Sequence, residues 1–201
     1  MKKLACIAGA LGALTVLAYG VSAQESAKVS PKVVEAFMKG TFSKLPEGWT
    51  WEARVALDET MKICSETRNN PSGDQAKAIL ARERGSIVFP ADGKVIGDWK
   101  EGAKIAQNGR GGQFSDAPGT VSGGNCFACH QMTKKEVSYG TLGPSLLNYG
   151  KLRDYKPEEA KNTFAKIYNP NSVLACSNMP RFGHNKVLTQ QQIKDAVAFL
   201  F

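Results

Sequence analysis

Cys126-Phe127-Ala128-Cys129-His130 constrains this chain more than any other string in it. Two thiols three residues apart, with an imidazole next to the second, fall on one side of a helical turn. That side can present two sulfurs and a ring nitrogen to one flat object. C-x-x-C-H is the attachment sequence of c-type haem: the thiols add across the two vinyl groups and the histidine binds the iron. The spacing therefore predicts thioethers at Cys126 and Cys129 and an axial bond from His130. Competing uses fit less well. A redox dithiol belongs where a strand runs into a helix, whereas here a glycine-rich loop from Gly109 to Gly124 leads into Cys126. Zinc needs four ligands, and a chain with five cysteines and two histidines offers no second close pair.

The second axial ligand must come from elsewhere. Met179, Met132, His184 and Cys176 are the candidates. Met132 is two residues past His130, too close to reach the opposite face of the ring. His184 lies in the polar stretch Gly183-His184-Asn185 and reads as a solvated loop histidine. Cys176 has a competing partner. Met179 stands in a loop before the last helix, and Pro180 stiffens that loop, so Met179 is the expected ligand. A His/Met pair raises the iron potential and fills both axial positions, which suits electron transfer rather than oxygen activation. Cys64 and Cys176 then remain, and two is the number that makes a disulfide. It would close a loop of over a hundred residues and tie the N-terminal region to a point three residues from Met179. Two separately buried thiols are the alternative, which an oxidising compartment disfavours.

Lys2 and Lys3 precede an apolar run, Leu4 to Val21, that ends in Val21-Ser22-Ala23. A basic start, an apolar middle and a small-x-small end read as a secretory signal peptide cleaved after Ala23. The rival is an uncleaved membrane anchor, since the run is about long enough to span. Cys6 lies at the very start of this run, too early to be a lipid-attachment cysteine. Cleavage leaves 178 residues, a charge of +6 in place of +8, and four cysteines, in the periplasm, with no stable membrane insertion. No basic run exceeds two or three residues, so the charge does not point to nucleic acid. With 42% hydrophobic residues the chain can bury a core, which excludes disorder.

The mature chain divides into an N-terminal extension, 24–96, and a second region, 97–201. In the first, helices are expected over Lys32–Lys39, Ala53–Cys64 and from Asp74 as cap through Arg84. Ile87 to Pro90 reads as a short extended piece. In the second, Gly97-Asp98 opens a helix with Gly102, Ile105 and Ala106 on one face, and Pro157 to Tyr168 forms another. Thr189 with Gln192 makes a capping box for a last helix with Ile193, Ala196, Val197 and Leu200 on one stripe. The expected fold is all-α.

Residues 97–201 resemble the class I cytochrome c family, on the order of the Gly97-Asp98 helix, Cys126 to His130, Gly143-Pro144-Ser145-Leu146, the Met179-Pro180 loop and the helix from Thr189. The resemblance implies one covalently bound haem c, with the Pro144 carbonyl orienting His130. The flanking strings are more specific. Gly123 to His130, Gly140 to Leu146 and Cys176 to Gly183 resemble the SoxX family. So do Cys64-Ser65 with Arg68-Asn69, and Pro90 to Gly93 leading to Gly97-Asp98-Trp99-Lys100. SoxX proteins are the smaller cytochrome subunits of the SoxAX complex in bacterial thiosulfate oxidation.

That likeness implies a heterodimer with a SoxA-like cytochrome, a SoxYZ-like carrier protein and a downstream electron acceptor. The activity implied is an L-cysteine S-thiosulfotransferase whose bond-making site lies on the SoxA-like partner. This chain would relay electrons and contribute no catalytic residue. The alternative is a free soluble periplasmic electron shuttle. The extension weighs against it, being more than haem burial needs and more easily explained by a partner surface. Lys134 and Lys135, just after His130, can steer an acidic partner.

Overall fold

The structure is a computed structural model that describes residues 29–41, 50–51, 56–113, 115–117 and 119–201. The signal-peptide reading and Cys6 lie outside these residues. The chain forms two compact units, residues 1–44 and 45–201.

In the first unit, helix α1 spans Pro31–Thr41. It covers the segment expected to be helical, and Val33, Val34 and Phe37 on it are exposed. In the second unit, helix α2 runs Glu59–Glu66 and opens on Asp58, which is extended and whose side chain accepts the Met61 N–H at 2.8 Å. Residues 56–58 are not helical, so the expected Ala53–Cys64 helix does not run unbroken, and its first three residues lie outside the described ones. Helix α3, Gly73–Gly85, starts at Ser72 and not at Asp74. Ser72 and Gln75 satisfy each other's backbone N–H groups, a reciprocal cap that a lone aspartate inside the first turn does not match. Ile87 to Pro90 is irregular, and the described residues contain no strand.

Helix α4, Trp99–Gln107, opens on Asp98. Helix α5 spans Pro157–Tyr168 with proline in its first turn, where the missing N–H costs nothing. Helix α6, Gln190–Leu200, carries the Thr189–Gln192 capping box. The fold is all-helical, as its composition and periodicity predict. Helices α4 and α6 form the main crossing. A Cβ on Gly102 would stand 2.0 Å from the Asp195 carbonyl oxygen, so only glycine lets the backbones approach this closely. Asp195 is buried there, and its carboxylate accepts the Asp98 N–H at 2.8 Å.

Two clusters form the core. The larger joins Val95, Ile105, Phe164, Phe182, Ile193 and Val197 with their neighbours. The smaller joins Ala106, Phe127 and Met132. Leu200 packs against both, so the end of α6 links them. Met132, one of the candidate axial ligands, is therefore a core residue.

Candidate functional site

The C-x-x-C-H string is placed by the end of α4. Gly124 N–H donates to the Ile105 carbonyl at 2.9 Å, and Asn125 N–H to that of Asn108 at 3.0 Å. Asn125 takes a left-handed conformation, φ 45°, which asparagine tolerates better than most residues. The chain then enters a 3-10 turn, Cys126–Ala128, and His130 N–H donates back to the Cys126 carbonyl at 2.9 Å. Phe127 is buried against Ala106 and Met132, and Cys126 packs on the same cluster.

A second segment runs alongside. Gly140 N–H donates to the Phe127 carbonyl, Gly143 N–H to that of Cys129, and Leu146 N–H to that of Gln131, all within 2.8 Å. This lacing brings the Pro144 carbonyl 2.7 Å from His130 Nδ1. A carbonyl oxygen can only accept, so Nδ1–H donates to it and the lone pair stays on Nε2. Gly143 lies against the ring: a Cβ there would sit 2.1 Å from His130 Cε1. Cys126 and Cys129 have free sulfurs. Burial pushes the Cys126 thiol up to about 11. A redox dithiol needs the opposite shift, because the thiolate is the reactive form.

Met179 lies half-buried against the larger core cluster. Its loop is joined to α2 by a Cys64–Cys176 disulfide, S–S 2.04 Å. Thr60, Met61, Cys64, Asn69, Cys176 and Met179 border a cleft of about 280 Å³. His184 is not a freely solvated loop residue. It is half-buried, with Nε2 3.9 Å from Asp58 Oδ2. Burial, helped by the nearby Arg181 charge, lowers its pKa despite the carboxylates of Glu83 and Asp58.

Sequence reasoning missed the polar group beside this loop. Arg181 is buried, with Nη2 2.6 Å from Glu83 Oε2 and Nη1 on the Asp58 carboxylate. Glu83 also accepts from the Thr60 hydroxyl and from Asn169 Nδ2 at 2.6 Å. Burial raises the Glu83 pKa, but the Thr60 and Asn169 hydrogen bonds and the Arg181 charge outweigh it, so the carboxyl lies below its ordinary value. The partners are 98 residues apart, and no local pattern announces such a pair.

Residues 99–201 match the cytochrome c family. The chain belongs to the cytochrome c family. It is also 35% identical over 153 residues to an uncharacterized lipoprotein of Aquifex aeolicus (strain VF5), covering 74% of this chain and 71% of that protein. That share, about 149 residues, exceeds the 103 residues of 99–201, so the likeness reaches into the segment before Trp99.

Membership implies covalently bound haem c, and the residues of this cytochrome fit it. Two unpaired thiols stand on one turn, the adjacent histidine keeps its Nε2 lone pair, and a glycine leaves its ring face uncrowded. Cys126, Cys129 and His130 are the residues that would hold the group on this side, with Pro144 fixing the imidazole. Among the described residues, no helix is long and apolar enough to cross a membrane.

Proposed function

We propose that this cytochrome is the monohaem subunit of a periplasmic SoxAX-type complex, resembling SoxX. It accepts the electrons released when thiosulfate is coupled to a cysteine of a SoxYZ-like carrier protein and passes them to a downstream acceptor. The enzyme is an L-cysteine S-thiosulfotransferase, and the bond-making chemistry belongs to a SoxA-like partner subunit. Cys126 and Cys129 would hold one haem c covalently and His130 and Met179 would bind its iron; when bound, the group would supply one-electron exchange between ferric and ferrous iron. The chain's own residues hold that centre still. The Pro144 carbonyl accepts a hydrogen bond from His130 Nδ1–H, and the disulfide and Arg181 fix the loop on either side of Met179.

The observation that carries this reading is the covalent and ionic attachment of the N-terminal segment to the Met179 loop, within the strings that resemble SoxX. A free shuttle has no use for the additional surface of α2 and α3. Export is part of the reading: residues 1–23 have the pattern of a signal peptide, the disulfide suits an oxidising compartment, and the Aquifex relative is called a lipoprotein.

Purification from the periplasm of the native host tests the proposal. A second c-type cytochrome should copurify at equal stoichiometry, and the pair should transfer thiosulfate to a carrier cysteine. A monomer with one haem and no second cytochrome contradicts it and favours the free shuttle.

A further inference from the structure

Close to Met179 the chain is held locally at one point: Ser177 N–H donates to Asn171 Oδ1 at 2.9 Å, with a longer contact to the Leu174 carbonyl at 3.2 Å. Met179 N–H itself reaches only Ser177 Oγ, at 3.3 Å. The remaining anchors come from the segment 58–83. Cys176 is bonded to Cys64, Asn178 Oδ1 accepts from Asn69 Nδ2 at 3.0 Å, and Arg181 enters the pocket made by Asp58 and Glu83. Arg181 is 7% exposed and Glu83 3%. Asn169, fully buried, completes the pocket with Oδ1 3.3 Å from Arg181 Nε and Nδ2 on Glu83.

A buried ion pair is weak evidence for stability, because desolvation cancels much of the attraction. What a buried arginine does supply is direction, since its planar fork accepts partners only at fixed angles. Here that direction is imposed two residues from Met179. We propose that Arg181, Glu83 and Asp58 are positioning residues for Met179. Together with the disulfide and Asn69, they hold the Met179–Pro180 loop in one conformation and limit how often its thioether leaves the iron. Segment 58–83 is thus a clamp on the loop that carries Met179. This rests on the reading of Met179 as that ligand.

The test uses the haem-loaded full protein and two readouts: the sulfur-to-iron absorption near the red edge of the oxidised spectrum, and the rate of carbon monoxide binding to the reduced form. The second requires the thioether to leave. Glu83→Gln and Arg181→Lys should weaken the band and speed binding by about tenfold or more, the equivalent of losing one charged hydrogen bond. Asn69→Ala, on the exposed side, should do so less. Ile79→Val, which loosens α3 at a fully buried position outside this network, should lower the melting temperature and leave both readouts unchanged.

Parental rates in Glu83→Gln and Arg181→Lys overturn the proposal. So does a rate that follows the melting temperature across all variants, Ile79→Val included, because the network would then be only structural. If Arg181→Lys does not fold, Glu83→Gln and Asn69→Ala decide. Met179→Ala separates the two readings. A band that survives it removes Met179 as the ligand and the proposal with it. A band lost there but untouched in the other variants removes the proposal alone.

Discussion

At His130 the two ring nitrogens have different fates. Nδ1 is committed to the Pro144 carbonyl 2.7 Å away, which leaves Nε2 to bind iron. On the other side, Met179→Ala should lower the reduction potential and abolish the sulfur-to-iron absorption, since a thioether favours the ferrous state. Potentiometry with visible spectroscopy checks this, and an unchanged spectrum would mean that another residue binds. At this scale the sequence was most informative where chemistry demands a fixed local spacing. Cys126, Cys129 and His130 are legible because three functional groups must share one turn. His184 and Met132 were legible only by elimination. Their real surroundings, Asp58 for one and Ala106 with Phe127 for the other, are long-range contacts with no local signature.

Among the elements, those whose ends are set by capping chemistry were read most closely. Thr189 and Gln192 announce α6, and Pro157 announces α5. Thr189→Ala should destabilise the protein by about 1 kcal/mol without altering the haem spectrum, measurable by chemical denaturation. The start of α3 differs from the expected one because Ser72 and Asp74 both offer a cap, and Ser72 wins through its reciprocal bonds with Gln75. The pairing of α2 with the Met179 loop has a larger stake. Cys64→Ser with Cys176→Ser should cost about 4 to 5 kcal/mol in the chain-entropy model, given the 112-residue separation. Denaturation of the double variant against the parent measures it. Equal stability would mean that the loop is held by Arg181 and Asn69 alone.

At the scale of the whole molecule, charge couples Asp58 and Glu83 to Arg181 within the second unit, and this coupling depends on pH. Glu83 and Asp58 are held below their ordinary values of 4.5 and 3.8: burial works against this, but hydrogen bonds and Arg181 prevail. Groups of this kind stabilise the fold above their unfolded pKa, and that contribution is lost as pH falls through the depressed folded values. His184 is lowered from 6.5, so the unfolded chain takes up its proton first and stability begins to fall below about that pH. Thermal melts across pH should show a shallow loss below 6.5 that His184→Gln removes, then a steeper one below about 4.5 that Glu83→Gln reduces.

On the exterior, Lys134 and Lys135 are exposed in the turn after His130. Replacing both with Glu should slow electron transfer to an acidic partner by about two- to tenfold at low salt, with the difference fading as salt screens it. Stopped-flow kinetics at two ionic strengths would detect this, and equal rates would remove these lysines from the docking face. Such a role, like the Arg181 pocket, could not be read from composition, because a net charge says nothing of which cations share a face.

Electron transfer by this cytochrome requires one covalent haem at the Cys126–His130 turn. Intact-mass analysis of the denatured, periplasm-derived protein tests that most directly. The expected result is a chain beginning at Gln24 that carries the mass of one haem, retained after acid extraction and located by digestion on the peptide from Cys126 to His130. A protein with no added mass, or with free thiols at Cys126 and Cys129, would contradict it.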